Sequence, residues 1–124
     1  MRTIVAGSRG ITSLSMVKKA MSQCGWTPTV IISGTARGVD RLGEEWAKAH
    51  NVPVECYPAD WERYGPSAGY RRNRIMVENA EALVAVWDGK SRGTEHTISL
   101  AREKGLRVFV YIPETKLGWL ITEA

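Results

Sequence analysis

Three short segments combine glycine with small polar residues and charged groups: Gly7-Ser8-Arg9-Gly10, Ser33-Gly34-Thr35-Ala36-Arg37-Gly38-Val39-Asp40 and Asp88-Gly89-Lys90-Ser91-Arg92-Gly93-Thr94. Glycine lets a ligand come close to the main chain, and the unpaired N–H groups at a helix start attract phosphate. A fourth segment, Arg71-Arg72-Asn73-Arg74, is dense in donors. Arginine suits bidentate phosphate binding and asparagine suits a base or ribose. Successive helical residues point about 100° apart, so at most two of these four can serve one ligand. Arg71 and Asn73 are the stronger candidates, near the expected helix start. Arg72 and Arg74 read equally well as solvated surface.

Other chemistries find little support. Gly7 to Gly10 is not a GxGxxG turn, and Gly34 to Asp40 lacks the lysine of a P-loop. No His, Asp, Glu or Cys spacing points to a metal, and no serine–histidine spacing points to a hydrolytic triad. Cys24 and Cys56 both read as reduced core residues, in keeping with a reducing cytoplasm. The start, Met1 to Ala6, passes straight into a strand rather than a leader, and no stretch is long enough to span a membrane. A cytoplasmic location is the expectation.

The segments that must position these residues alternate. Strands are expected at Thr3–Ala6, Thr29–Ser33, Val52–Tyr57, Leu83–Trp87 and Val108–Ile112. Helices are expected over 12–24, 39–50, 70–80 and from Ser91 or Thr94 to Lys104. Thr12 or Ser13 can cap the first of these, and Gly25 and Gly105 close their helices. Val30-Ile31-Ile32 is β-branched throughout, as in a strand covered on both faces. Leu14, Val17, Met21 and Cys24 make one apolar stripe. Ile75, Met76, Asn79 and Ala80 are placed on one side of the third helix. Residues 58–69 read as a long ordered loop, with Trp61 and Tyr64 folded back on the body. Trp46 and Trp87 read as core, and His50 as a helix-end residue. The apolar tail from Leu117 to Ile121, around Trp119, could cover a sheet edge or face another subunit.

With 124 residues the chain is one domain's worth. Its net charge of +4 is compatible with an anionic partner without requiring one. The alternation implies a Rossmann-like, doubly wound α/β fold: three layers around a mostly parallel sheet of about five strands, in the order 3-2-1-4-5. In that order the exits of strands two, one and four are neighbours. The three glycine-bearing turns then share one rim, at the topological switch point where such sheets bind ligands.

These residues resemble a known family. Gly-Ser-Arg after strand one, Ser-Gly-x-Ala-x-Gly-Val-Asp after strand two and Pro-Ala-Asp-Trp after strand three are joined by Arg-Asn-x-x-Met and by Trp-Asp-Gly-x-Ser-x-Gly-Thr. Together they look like the SLOG superfamily, in particular its small YspA-like, YpsA-related members, found in phages and bacteria. The resemblance implies a ligand site built from Gly7, Ser8, Arg9, Ser33, Gly34, Ala36, Gly38, Asp40, Arg71, Asn73, Asp88, Gly89, Ser91, Gly93 and Thr94. The superfamily also contains Lonely Guy-type nucleoside monophosphate phosphoribohydrolases and the DNA-processing protein DprA. Those hydrolases carry a glutamate where this chain has Thr97, and Glu95 falls two residues early, about 200° away around a helix. Arg71, Asp88 and Glu95 are the remaining catalytic candidates.

The leading expectation is a sensor or sequestering domain for a nucleotide-derived phosphate ligand such as ADP-ribose, NAD or a cyclic nucleotide, with no obligatory cofactor or metal. The alternatives are a phosphoribohydrolase-like enzyme and a DprA-like binder of single-stranded DNA, the latter using exposed Trp61 or Tyr64 to stack bases. By analogy with its relatives, a homodimer or higher homo-oligomer is expected.

Overall fold

Runs of β-branched and small apolar residues alternate with amphipathic stretches, and they become strands and helices in turn. The computed structural model describes residues 1–113 and the backbone of residues 120–121. In chain order the elements are β1 (Arg2–Gly7), α1 (Leu14–Gln23), β2 (Val30–Ser33), α2 (Val39–Ala49), β3 (Val54–Cys56), α3 (Trp61–Tyr64), α4 (Ala68–Glu78), β4 (Ala82–Val86), α5 (Arg92–Lys104), β5 (Arg107–Tyr111) and β6 (Leu120–Ile121). A 3₁₀ turn, Gly65–Ser67, joins α3 to α4.

The sheet order is β3-β2-β1-β4-β5-β6. The first five strands are parallel, in the expected order 3-2-1-4-5. β6 adds an antiparallel strand on the β5 edge, with Leu120 opposite Val110. That part of the apolar tail covers a sheet edge, whereas Leu117 and Trp119 lie outside the described residues.

Successive strand residues face opposite sides, which divides the core in two. Val5, Ile31, Val84, Val86 and Phe109 pack with Val17, Ala20 and Met21 of α1 and Val39 and Ala47 of α2. Ile4, Ala6, Ile32, Leu83 and Val108 pack on the other side with Met76 and Val77 of α4 and Ile98 and Ala101 of α5. Helices therefore cover both faces, giving the three-layer arrangement. α2 rides close on β1 because Gly43 has no side chain: a Cβ there would stand 2.7 Å from Val5 Cγ1.

Local departures have identifiable causes. Residues 58–69 are not a plain loop. Asp60 caps α3, its Oδ1 accepting from the Arg63 amide at 3.2 Å. Trp61 stays about half exposed, with its ring edge beside Gly69 of α4. Ser13 is the N-cap of α1, but its hydroxyl pairs with Ser15 Oγ at 2.7 Å instead of a backbone amide. Gly25 takes φ +95° just after α1, and Gly105 caps α5 at φ +80°. β3 is shorter than expected, because Pro53 and Tyr57 flank rather than extend it. Cys24 is buried, but Cys56 is exposed on the short edge strand, so the core reading of Cys56 was incorrect. Met76 in α4 and Ala80 just past its end are buried as expected, while Ile75 is 50% exposed and Asn79, the C-cap, is also exposed. Trp46 and Trp87 are partly buried against the two core clusters. His50 is exposed, stacking on Trp46 at 4.1 Å.

Candidate functional site

The carboxyl ends of β1, β2 and β4 are stitched together by short polar contacts. Ser8, buried just past β1, donates its amide to Val86 O at 3.1 Å, and its hydroxyl accepts from the Asp88 amide at 3.0 Å. Its carbonyl accepts from the Val39 amide of α2 at 3.5 Å. Two glycines permit this crowding. A Cβ on Gly7 would stand 2.0 Å from Val86 O, and one on Gly38, where φ is +77°, would stand 2.5 Å from Ser8 O. The three turns thus meet as neighbours.

The turn after β2 is held from within. Ser33 Oγ donates to Glu44 Oε2 at 2.6 Å and accepts from the Thr35 amide at 3.1 Å. Thr35 sits at φ +62°, a costly conformation for a β-branched residue. The Ala36 amide donates to Asp40 Oδ2 at 3.1 Å. Asp40 itself is only 5% exposed. Burial pushes its carboxyl up to about 6, against the Ala36 amide and the Arg72 and Arg9 charges, which favour the ionised form.

α4 brings two side chains to the same place. The Arg72 guanidinium donates through Nη1 to Gly34 O and through Nε to Asn73 Oδ1, the latter at 2.9 Å. Burial lowers its pKa, with Asp40 opposing that trend. Asn73 is buried and donates to Gly93 O at 3.3 Å, tying α4 to the start of α5. It also lies 3.3 Å from His96 Nδ1, whose pKa burial lowers. Nδ1 then accepts from the Asn73 amide.

Asp88 shapes the entry to α5. Its Oδ1 accepts from the amides of Lys90 and Ser91, both at 2.8 Å, and these bonds hold its carboxyl below the usual range. The first helical bond runs from the Glu95 amide to Ser91 O at 3.1 Å. The preceding amides, of Arg92, Gly93 and Thr94, therefore have no acceptor within the helix. Between this helix start and α4 lies a cleft of about 510 Å³, within the size range of small-molecule sites.

Residues 1–64 match the YAcAr family, described as the YspA, cpYpsA-related SLOG family. The Gene 61 protein of Mycobacterium phage D29 is 38% identical over 85 residues, covering 64% of this chain and 68% of that protein. The chain belongs to the YspA, cpYpsA-related SLOG family. Its fold is similar to that of DNA processing protein A (DprA) from Streptococcus pneumoniae, with a TM-score of 0.68 at 22% identity. That match covers 95% of this chain and 52% of the other, so this chain spans about half the length of its structural neighbour.

In this SLOG chain the cleft is lined by Gly7, Ser8, Arg9, Ala36 and Asp40 from the first two turns, and by Asn73 from α4. Asp88, Ser91, Gly93 and Thr94 line it from the third turn. Ser33, Gly34 and Gly38 are not lining residues, but Gly34 and Gly38 touch ones that are: Arg72 and Asp40, and Ser8 and Arg9. Gly89 is exposed, at φ +81°, with open space where a side chain would be.

Gly89 is not among the lining residues, and two expected side chains fall elsewhere. Arg71 is exposed, donates to Ser67 Oγ at 3.1 Å and lies 4.4 Å over the Tyr64 ring. Glu95 is exposed and is not among the lining residues. Thr97 does line the cleft, its hydroxyl donating to Gly93 O at 3.1 Å. The unexpected members include Arg72, Trp61, Gly69 and Tyr70. Arg72 was legible in principle. It stands four residues before buried Met76, on the same helical face. Nearness to the helix start, which favoured Arg71, does not fix which way a side chain points.

Among the described residues, no group of three or more His, Cys, Asp or Glu side chains is placed to hold a metal ion. Likewise, no helix among them is long and apolar enough to cross a membrane.

Proposed function

We propose that the cleft binds a nucleotide-derived phosphate ligand, and that the chain acts as a sensor or sequestering protein for it. One observation carries this reading: the Arg72 guanidinium and the first turn of α5, where the amides of Gly93 and Thr94 have no acceptor within the helix, border one cleft beside glycine turns that leave the main chain bare. Phosphate is the anion such a combination suits. Arg9, exposed at the rim, adds positive charge. The SLOG assignment is in keeping with a nucleotide-related ligand.

The binding role is favoured over turnover by the carboxylates. Thr97 occupies the position of the hydrolase glutamate, Glu95 lies outside the cleft, and Asp88 is held by two amides. Calorimetry with AMP, ADP-ribose and NAD tests the reading. Binding that is lost in Arg72→Ala supports it, and an absence of heat across the panel at millimolar ligand overturns it.

A second reading, hydrolysis of the N-glycosidic bond of a nucleoside monophosphate, is favoured by Asp40. A carboxyl that titrates near 6 inside the cleft is suited to proton transfer near neutral pH. Release of free base from AMP, abolished in Asp40→Asn, is the expected result under this reading. No release from any nucleoside monophosphate removes it.

A further inference from the structure

We propose that Trp61 and Tyr70 form a base-stacking subsite at the mouth of the cleft, so that the ligand is a nucleotide with its base attached rather than a sugar phosphate. This rests on the phosphate reading above and adds a second recognition element to the same site. Both rings line the cleft, yet Trp61 is 51% and Tyr70 45% exposed. Leaving such apolar area in water forgoes the burial that stabilises a core.

The backbone that carries Trp61 and the ring of Tyr70 are both anchored. Trp61 opens α3, which Asp60 caps through the Arg63 amide at 3.2 Å and the Tyr64 amide at 3.0 Å. Tyr70 meets His96 edge-on, with centroids 4.7 Å apart. Tyr64, the third exposed aromatic here, differs: the guanidinium groups of Arg71 and Arg63 lie over its ring at 4.4 and 5.1 Å.

The geometry around Gly69 couples the subsite to the phosphate donors. A Cβ at Gly69 would stand 3.4 Å from Trp61 Cη2 and 3.8 Å from Arg72 Nη2. The indole and the guanidinium therefore border the same bare stretch of main chain. A base lying on the indole and a phosphate held by Arg72 would then sit on either side of Gly69. Stacking accepts any base, because every base has a π-face.

The test compares AMP with ribose 5-phosphate, which share the phosphate and differ in the base, on wild type, Trp61→Ala and Trp61→Phe. AMP is expected to bind more tightly than ribose 5-phosphate. Trp61→Ala should weaken AMP roughly 10-fold or more while leaving ribose 5-phosphate unchanged, and Trp61→Phe should retain most of the preference. AMP should also quench tryptophan fluorescence in the wild type and much less in Trp61→Phe, a readout independent of how the alanine variant folds. Equal affinity for the two probes, or equal weakening of both by Trp61→Ala, overturns the base subsite and leaves the phosphate reading standing. Binding of neither probe overturns both.

Discussion

The carboxylate of Asp40 and the guanidinium of Arg72 close on one point, the place where a side chain on Gly34 would stand. A Cβ there would lie 2.8 Å from Asp40 Oδ2 and 2.7 Å from Arg72 Nη1. The two groups reach this point from α2 and α4, elements far apart in sequence. An acid and a base thus face each other beside the turn that presents the main chain to the cleft.

This arrangement separates two neighbouring arginines. Arg72→Ala should weaken AMP binding at least about 10-fold, in line with loss of a charged hydrogen-bond donor. Arg71→Ala should change it by less than about twofold, because exposed contacts contribute little. Calorimetry on both variants checks this, and the opposite ranking would place the phosphate outside the cleft.

Asp40 makes the site pH-dependent. Its folded value, about 6, lies above the ordinary 3.8, so the folded state holds the proton more tightly than the unfolded chain. Asp40's contribution to stability should therefore fall as pH rises from about 4 to about 6 and then level off, by up to about 3 kcal/mol. Asp40→Asn keeps an oxygen acceptor for the Ala36 amide, and its unfolding free energy should lose this slope. Denaturant titrations at pH 4, 5, 6 and 7 provide the comparison.

The same proton should govern affinity. Below about 6 a neutral Asp40 leaves the Arg72 charge to the ligand; above it the carboxylate competes. Affinity for ADP-ribose should drop between pH 5.5 and 8 in the wild type and stay flat in Asp40→Asn. A parallel drop in both proteins would remove Asp40 as the cause.

The glycines of the three turns should respond differently to alanine. Gly7→Ala sets a Cβ against the Val86 carbonyl, and Gly38→Ala adds a positive φ to a backbone contact. Each should cost about 1–3 kcal/mol or more. A Cβ on Gly93 meets nothing within 4 Å, and the residue lies in the first turn of α5. Gly93→Ala should therefore fold at least as stably as the wild type, yet bind AMP more weakly, since it adds bulk to a residue that lines the cleft. Thermal melts alongside binding titrations would reveal the split.

The thiols give a simple check of the fold. Cys56 is exposed and Cys24 buried, so a thiol reagent should label one cysteine in the native protein and both in denaturant. Labelling of Cys24 as fast as Cys56 would contradict the packing of α1.

The order of the sheet was readable from the chain alone. Alternating strands and helices, short connections and right-handed crossovers leave few ways to arrange five parallel strands, and that arrangement brings the turns at Gly7, Gly34 and Asp88 to one rim. These are local patterns and chain-geometry rules, and each residue carries its share of them. The aim of individual side chains was another matter. Whether Arg71 or Arg72 enters the cleft depends on the phase of α4, which is set by what Met76 and Val77 pack against across the sheet. That Cys56 is exposed depends on β3 being the edge strand, and the proton affinity of Asp40 depends on how completely α2, the β2 turn and α4 exclude water around it. Period and propensity are properties of neighbours in sequence, but phase, burial and charge compensation arise only where distant segments touch.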